Sequence, residues 1–324
     1  MSTQHRPNKV IILGTGGTIA GVAKGASDRY TAAVLGVDEL LVSVQGATDL
    51  WNGPVCVSEQ VAQADSKDMG FAIWTALALR VMHHLSQPDV CGLVITHGTD
   101  TLEETAYFLS VVLPKHLQST HPVVLTCAMR PASAPKPDGP QNLADAIVVA
   151  MLPSAHGVMA VCAGRVHAAA HIKKVHTHRL NAFSSGNTRP LAIVQNGRVQ
   201  QIGPWPDLPV NSAPDTIKKI ASLSSWPRVE IVMNYADADG WLVDSLLQTG
   251  PDPLRGLVVA ATGNGTVHQN LEAALRRAVR AGVRVVLSTR CDQGRVDLAP
   301  DREFENAGDL SPVKARVALM LELM

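Results

Sequence analysis

The sequence has little charge, and the charges it has are balanced. Asp, Glu, Lys and Arg make up 17% of the 324 residues, whereas 46% are hydrophobic, which predicts a large buried core. With 28 basic and 28 acidic residues the formal net charge is +0. This balance predicts no broad basic surface of the kind that binds nucleic acid.

Long hydrophobic runs are also missing. No apolar run reaches the roughly 18 residues that a membrane-spanning helix requires. The first apolar stretch, Val10–Leu13, is followed by a glycine-rich turn before it could form the core of a signal peptide. We therefore expect a cytoplasmic protein.

The cysteines show no pairing pattern. There are five, an odd number, spaced widely and without a CxxC pair. Cys91, Cys127 and Cys162 lie beside apolar runs typical of strands, so we expect buried, reduced thiols.

Short apolar runs alternate with stretches of helical period. The predicted strands of the N-terminal half are Val10–Leu13, Gly92–Thr96, Val123–Thr126 and Val158–Val161. The predicted helices between them are Met69–Leu85, Thr101–Leu113 behind a capping box, and Asp138–Leu152. This alternation predicts an α/β fold with a mostly parallel sheet flanked by helices.

A proline-rich segment interrupts the alternation, which then resumes. This interruption predicts a larger N-terminal catalytic α/β domain at 1–203, a linker at 204–227 and a smaller C-terminal α/β domain at 228–324.

The stretch LGTGGTIAGV, at 13–22, follows the first predicted strand. Gly14 and Gly16 fit a dinucleotide fingerprint, but its third glycine position holds Ile19, and the lysine of a P-loop is missing. Two interpretations remain. The glycines form a tight turn with unusual backbone angles, or one of the two threonines takes part in chemistry.

A second polar cluster, ITHGTDTLEETA at 95–106, follows the predicted strand Gly92–Thr96. Thr99 and Asp100 should therefore stand at the carboxyl end of a strand and beside a helix N-terminus. Ligands of open α/β sheets bind there, and a helix N-terminus favours a carboxylate. A purely capping role explains Thr101 but leaves the rest of the cluster unexplained.

Together these motifs resemble the bacterial-type L-asparaginase family. TGGTIAG (15–21) and HGTDTLEETA (97–106) are similar to its two signatures. Further similar blocks are AMRP with DGPQNL, DSKDM (65–69) and the C-terminal LSPVKARVALML. The resemblance implies an amidohydrolase of L-asparagine, and in some members of L-glutamine, that uses no metal or organic cofactor.

The resemblance also implies a homodimer or homotetramer. Each active site would lie between the large domain of one subunit and the small domain of its partner. Nucleic acid and membranes are not expected as partners.

The resemblance assigns the catalytic roles. Thr18 matches the nucleophile, and Tyr30 matches the tyrosine that closes over it on a lid. Thr99 matches the second threonine, which positions or activates water. Lys174 matches the lysine paired with Thr99, and strand alternation would point Lys173 the other way.

The resemblance also assigns the substrate contacts. Asp100 matches the acid that holds the α-amino group of the substrate, in addition to its place in the catalytic set. Asp65 and Ser66 match the loop that contacts the α-carboxylate. Ala128 matches a position whose carbonyl oxygen accepts a hydrogen bond from the substrate amide.

The chain departs from the family at three places. Lys67 replaces glutamine in the substrate loop, which suggests a glutaminase-asparaginase as an alternative. Thr266 replaces an asparagine that reaches the partner's site. The stretch after Val296 is short, and Asp297, Asp301 and Glu303 are all candidates for the acid that completes the partner's site.

Two further hypotheses follow from particular residues. Loss of the partner's acid would be compatible with an amino-acid sensor that binds without turnover, although Thr18, Thr99, Asp100 and Lys174 are all retained. His176 and His178 share one side of a predicted strand, but with no nearby carboxylate or thiol we predict no metal site.

Overall fold

The computed structural model describes residues 9–23, 30–47, 55–208, 215–248, 251–297 and 303–324. The chain forms two compact units, Met1–Ala221 and Ser222–Met324. No helix in these described ranges is long and apolar enough to cross a bilayer.

The described helices are α1 (Val37–Ala47), α2 (Phe71–Leu85), α3 (Leu102–Val112), α4 (Lys115–Gln118), α5 (Gly139–Ala150), α6 (Thr216–Ala221), α7 (Trp241–Leu247), α8 (Gln269–Arg280) and α9 (Pro312–Glu322). Two short 3-10 helices, Thr18–Ala20 and Ser66–Asp68, lie in the loops after the first and fourth strands.

The strands of the larger unit are β1 (Lys9–Gly16), β2 (Val22–Ala23), β3 (Tyr30–Thr31), β4 (Val55–Ala64), β5 (Val90–Thr96), β6 (Pro122–Thr126), β7 (Gly157–Cys162), β8 (Arg165–Ala168), β9 (Lys173–Lys174), β10 (Phe183–Ser184), β11 (Ala192–Gln195) and β12 (Arg198–Gln201). Those of the smaller unit are β13 (Arg228–Met233), β14 (Leu254–Ala261), β15 (Arg284–Thr289) and β16 (Glu305–Asn306).

An eight-stranded sheet organises the larger unit, in the order β12-β11-β8-β7-β6-β5-β1-β4. The five strands from β4 to β7 are parallel, whereas β8, β11 and β12 pair antiparallel. The four strands predicted from apolar runs are β1, β5, β6 and β7, and the predicted α/β fold is confirmed.

Helices cover the sheet because its central strands carry apolar side chains on both faces. Helices α1 and α5 pack over Val10, Ile12 and Val94 in one buried cluster. Helices α2 and α3 pack against each other, with the rings of Trp74 and Phe108 stacked at 4.8 Å. Two of the buried thiols, Cys127 and Cys162, bring their sulfurs to 3.3 Å at the ends of neighbouring strands β6 and β7, whereas Cys91 is half-buried.

The smaller unit is a separate α/β layer with its own core. Its sheet has the order β13-β14-β15-β16, with all pairs parallel. Helices α7 and α8 pack together over Leu257, Val259 and Leu271, while α9 packs against β13, β14 and β15. This agrees with the predicted smaller C-terminal α/β domain.

The proline-rich segment is partly packed structure. Trp205 belongs to the apolar cluster of the larger unit, and α6 contacts α2. The two units divide between Ala221 and Ser222, within the predicted linker. The boundaries at 203 and 228 stay predictions.

Candidate active site

The glycine loop after β1 turns on two glycines with positive φ. Gly16 has φ +102° and Gly17 has φ +82°, which other residues rarely adopt, and a 3-10 helix starts at Thr18. Thr15 is buried and donates its hydroxyl proton to the Thr96 carbonyl at 2.8 Å. Thr15 therefore ties β1 to β5, whereas Thr18 opens the turn that follows.

The second polar loop meets the first one backbone to backbone. A Cβ atom added to Gly17 would lie 2.3 Å from the Cα atom of Gly98. Only a pair of glycines permits this approach. It places Thr18 and Thr99, each the next residue, at adjoining positions in their two loops.

These loops lie at a topological switch point. The connection that leaves β1 runs through α1 on one face of the sheet, and the connection that leaves β5 runs through α3 on the other. Because β1 and β5 are neighbouring parallel strands, their carboxyl ends open a crevice between diverging loops. Open α/β sheets bind small molecules at such a crevice.

Thr18 has a phenol as its partner. Its Oγ1 lies 2.8 Å from the hydroxyl of Tyr30, and either oxygen can donate. Thr18 is only 7% exposed, whereas Tyr30 is 42% exposed. The pairing of β2 with β3, which sets Ala23 opposite Tyr30, brings the tyrosine back to the loop. The predicted lid, GVAKGASDR at 21–29, lies outside the described residues from position 24 onward.

Thr99 has an ammonium group as its partner. Lys174 Nζ donates to Thr99 Oγ1 at 2.9 Å and to Asp100 Oδ1 at 2.6 Å. The backbone N–H of Lys174 donates in turn to the Glu103 carboxylate at 3.3 Å, so α3 helps to fix the short strand β9. Lys174 reaches Thr99, as predicted for this position rather than for Lys173.

The loop after β4 joins the same crevice. Ser66 is buried, its Oγ accepts the N–H of Asp100 at 3.2 Å, and its carbonyl accepts the Thr101 hydroxyl at 2.7 Å. The capping box predicted at Thr101 is therefore wrong, because the Thr101 side chain makes no capping hydrogen bond to the start of α3. Thr101 does precede α3, but its hydroxyl is held by Ser66 and does not cap the helix.

Ion pairs occupy the exposed side of this loop. Lys67 Nζ lies 3.1 Å from Asp65 and 2.6 Å from Asp68. These two carboxylates raise the pKa of Lys67 and keep it cationic. The loop thus offers a hydroxyl at Ser66 and a cation at Lys67, with the Asp65 carboxylate already paired.

Ala128 lies two residues after the end of β6 and is fully buried. The segment is fixed by Asp138, whose carboxylate accepts the N–H groups of Met129 and Arg130 at 2.9 and 2.8 Å. Asn142 donates to the Cys127 carbonyl at 2.9 Å and accepts the Ala163 N–H at 3.0 Å. The block DGPQNL therefore holds the backbone around Ala128.

Sequence reasoning missed a hydrogen-bond chain behind the second loop. The indole N–H of Trp74 donates to Thr105 Oγ1 at 2.9 Å, and Thr105 lies 2.9 Å from His97 Nε2. His97 Nδ1 lies 2.8 Å from the Gly98 carbonyl, and burial lowers the pKa of His97 to about 4. A neutral His97 can then donate to Gly98 and accept from Thr105. Its position inside the signature HGTDT was the available signal.

The histidine-rich stretch after Lys174 caps a turn. His176 Nδ1 accepts the N–H groups of His178 and Arg179, both at 3.0 Å. Among the residues that the structure describes, no group of three or more His, Cys, Asp or Glu side chains could hold a metal ion.

The candidate acids of the smaller unit differ in their surroundings. Glu303 is paired with Arg276 of α8 at 2.8 Å. Asp297 is exposed, pairs with Arg295 at 3.2 Å, and its N–H donates to Asn264 Oδ1 at 2.7 Å. Thr266 is bonded back to Thr262 at 2.9 Å within its own turn. Asp301 lies outside the described residues.

Comparison with known proteins identifies the family of this chain. Residues 9–205 match the family described as Asparaginase, N-terminal, and residues 228–324 match the Glutaminase/Asparaginase C-terminal domain. The chain belongs to the asparaginase family. The asparaginase fold therefore accounts for both units, and its N-terminal part carries every described residue of the candidate crevice.

Relatives agree over nearly the full length. The chain is 35% identical to L-asparaginase 2 of Bacillus subtilis (strain 168), across 98% of this chain and 82% of that one. It is 33% identical to the glutaminase-asparaginase of Pseudomonas fluorescens biotype A, across 100% and 88%. The crystal structure of a probable cytoplasmic L-asparaginase from Campylobacter jejuni matches with a TM-score of 0.84 and 35% identity, across 98% and 95%.

Proposed function

We propose that this protein hydrolyses the side-chain amide of L-asparagine to L-aspartate and ammonia, with Thr18 as the nucleophile. The observation that carries the proposal is the pair of threonines at the switch point. Thr18 contacts the Tyr30 phenol and Thr99 contacts the Lys174 ammonium. Asparaginase relatives support this reaction, and membership of their family makes the protein an amidohydrolase.

Attack by Thr18 requires removal of its hydroxyl proton, because a neutral hydroxyl is a weak nucleophile. The Tyr30 oxygen, at 2.8 Å, is the described group that can accept this proton or orient it. The Thr18 oxygen would attack the amide carbon, and its proton would pass to the leaving nitrogen as the C–N bond breaks and ammonia departs. Water would then hydrolyse the Thr18 ester, which releases L-aspartate and restores the Thr18 hydroxyl.

Thr99 and Lys174 would position the water that hydrolyses the Thr18 ester. Lys174 Nζ donates to both Thr99 Oγ1 and Asp100 Oδ1, so it holds the Thr99 hydroxyl beside the carboxylate. The α-ammonium of asparagine would bind Asp100 and compete with Lys174 for its carboxylate. Substrate binding would thereby weaken the ion pair and leave Lys174 Nζ to hold Thr99 Oγ1, whose hydroxyl proton would then orient the attacking water.

The amino-acid head would be held by charge and by hydrogen bonds. Ser66 Oγ already accepts from the Asp100 N–H, so its own proton remains for the α-carboxylate of the substrate. Asp65 would act by fixing the loop and Lys67. The Ala128 carbonyl would accept from the amide nitrogen and orient the leaving group.

Ammonia release from asparagine tests this proposal. Thr18→Ala and Thr99→Ala should each lower kcat by roughly 10³-fold or more. Thr15→Val is the matched control. It removes a hydroxyl from the same loop, one that bonds only to the Thr96 carbonyl, and should change kcat by less than about tenfold. Full activity in both alanine variants would overturn the mechanism.

A glutaminase-asparaginase is the alternative. Lys67 favours it, because this cation is at 3.1 Å from Asp65 in the loop that would take the substrate head, and one relative carries that name. The two amides differ by one methylene, which is worth about 1–3 kcal/mol in a binding pocket, so cross-activity is expected. The ratio of kcat/KM for asparagine and glutamine decides between them. Tight aspartate binding without ammonia release would instead indicate a sensor.

The proposed active assembly is a homodimer or homotetramer in which the smaller unit completes the partner's site. We favour Asp297 over Glu303 as the contributed acid, because the ion pair of Glu303 with Arg276 is shorter, at 2.8 Å, than that of Asp297 with Arg295, at 3.2 Å. Asp301 stays an alternative. Mixing inactive Thr18→Ala with inactive Asp297→Ala and refolding them together should restore part of the activity. An active Asp297→Ala, beside an inactive Glu303→Ala whose activity Thr18→Ala restores, would contradict this assignment.

We also propose a cytoplasmic location, which the similarity to the probable cytoplasmic L-asparaginase of Campylobacter jejuni supports. Fractionation of cells with antibody detection tests it, and recovery outside the cytoplasm would reject it.

A further inference from the structure

A second cavity lies in the larger unit, apart from the candidate active site. Its volume is about 690 Å³, within the range of small-molecule sites. Its walls come from α3, from Gln118 and Val158, and from residues within 168–171, 188–191 and 202–208. The described lining includes none of the candidate catalytic or substrate-binding side chains. Asparagine bound in the crevice would therefore leave it free.

The walls of this cavity are held by the fold. Gln118, which is buried, donates both amide protons, to the carbonyls of Ser110 and Leu113 at 2.9 and 2.8 Å, and so fixes the end of α3. On the opposite wall, the N–H groups of Ile202 and Gly203 both donate to the Leu191 carbonyl. A cavity with such fixed walls needs little rearrangement before binding.

One buried polar group of the lining has no partner. Trp205 is only 8% exposed, and its indole Nε1–H meets no hydrogen-bond acceptor in the described structure. A buried donor left unpaired lowers the free energy of unfolding, so most such groups in proteins have an acceptor. A ligand oxygen in the cavity would satisfy this one.

The lining also indicates the charge of the ligand. Val111, Val158 and Leu191 make its surface mainly apolar, and His171 is half-buried there. Arg189 and Asp207, which carry opposite charges, are exposed. An ionised group is costly to bury in such surroundings, whereas a neutral acceptor satisfies the indole.

We propose that this cavity binds a small, mainly apolar molecule whose buried end presents a neutral carbonyl or similar oxygen to the Trp205 indole. The polar end of the molecule would lie toward the exposed Arg189 and Asp207. This is a binding site separate from amide hydrolysis, and it does not depend on the proposed reaction.

Acetophenone and ethylbenzene form a matched pair of probes, because they share a ring and similar size but only acetophenone has a carbonyl. The indole N–H signals of the five tryptophans can be followed by NMR of ¹⁵N-labelled protein, with Trp205→Phe assigning the signal of interest. Acetophenone should shift the Trp205 signal saturably. It should bind roughly twofold to tenfold more tightly than ethylbenzene, and Trp205→Phe should remove that preference.

Two further variants keep the test decisive. Val111→Phe narrows the cavity without removing the donor, and should weaken acetophenone binding even if Trp205→Phe does not fold. Trp241→Phe, at a tryptophan 72% exposed in the smaller unit, should leave binding unchanged. The proposal is overturned if the Trp205 signal does not move, if ethylbenzene binds equally well, or if L-aspartate displaces acetophenone.

Discussion

The two threonines of the crevice stand in unlike surroundings. Thr18 depends on Tyr30, a 42% exposed residue at the end of a two-residue strand pair. Thr99 depends on Lys174, whose side chain is 20% exposed and is bonded to both Thr99 and Asp100. One hydroxyl therefore has an open, neutral partner, and the other has a shielded, charged one. This difference matches two separate steps, attack on the amide and activation of water.

Removing the charged partner should have the largest effect. Lys174→Met keeps most of the side-chain volume but removes the donor to Thr99 and Asp100, and kcat should fall by roughly 10³-fold or more. In the double variant Lys174→Met with Thr18→Ala, the loss of kcat should stay close to that of the worse single variant, because the two groups act in one proposed mechanism. If the two losses of kcat multiplied in full, Thr18 and Lys174 would act independently. Steady-state ammonia release measures this.

The backbone contact between Gly17 and Gly98 joins the loops of Thr18 and Thr99, and one added methyl group can break it. Gly17→Ala places a Cβ 2.3 Å from Gly98 Cα at φ +82°, and should lower the free energy of unfolding by about 3 kcal/mol or more. Gly263→Ala, also at positive φ but with no neighbour within 4 Å, should cost only about 1 kcal/mol. Urea denaturation measures both. Equal losses of unfolding free energy in the two variants would show that the strain of positive φ, and not the contact with Gly98, determines the effect.

His97 lies behind the Thr99 loop, and its effect should depend on pH. Its folded pKa, about 4, lies below the ordinary value of 6.5, so its contribution is complete above pH 6.5 and is lost as the pH falls toward 4. The loss should approach roughly 3 kcal/mol. Urea denaturation at pH 7.5 and 4.5 should show a smaller loss on acidification for His97→Asn than for the wild type. The exposed His116→Asn should behave as the wild type does.

Tyr30→Phe should have the smallest effect of the four. It removes one hydrogen bond to Thr18 and leaves the ring in place, so kcat should fall by roughly tenfold. KM should change little, because Tyr30 is not among the groups assigned to the amino-acid head. A loss as large as that of Lys174→Met would show that the phenol is itself the essential base.

Much of this site could be predicted from the sequence, because its residues lie in short motifs directly after strands. The loops holding Thr18 and Thr99 follow apolar runs, and strand alternation separates Lys174 from Lys173. The family resemblance supplied Tyr30 and Ser66, which carry no local signal of their own.

The remainder depends on contacts between distant segments. The Thr101 hydroxyl bonds to Ser66, which lies 35 residues away in sequence, so a capping pattern read locally gave the wrong partner. The chain from Trp74 through Thr105 to His97 links α2, α3 and β5, and its members share no periodicity. Such contacts exist only once the sheet has brought the loops together.

The meeting of Gly17 and Gly98 has a consequence for efforts to change substrate preference. Since two main chains touch there with no side chain between them, the spacing of the Thr18 and Thr99 hydroxyls is set by the sheet and has no adjustable residue at that point. Directed evolution should find almost no accepted substitutions at either glycine. Accepted changes in specificity should instead accumulate at exposed positions such as Lys67, where a new side chain can alter the pocket without moving the two loops apart.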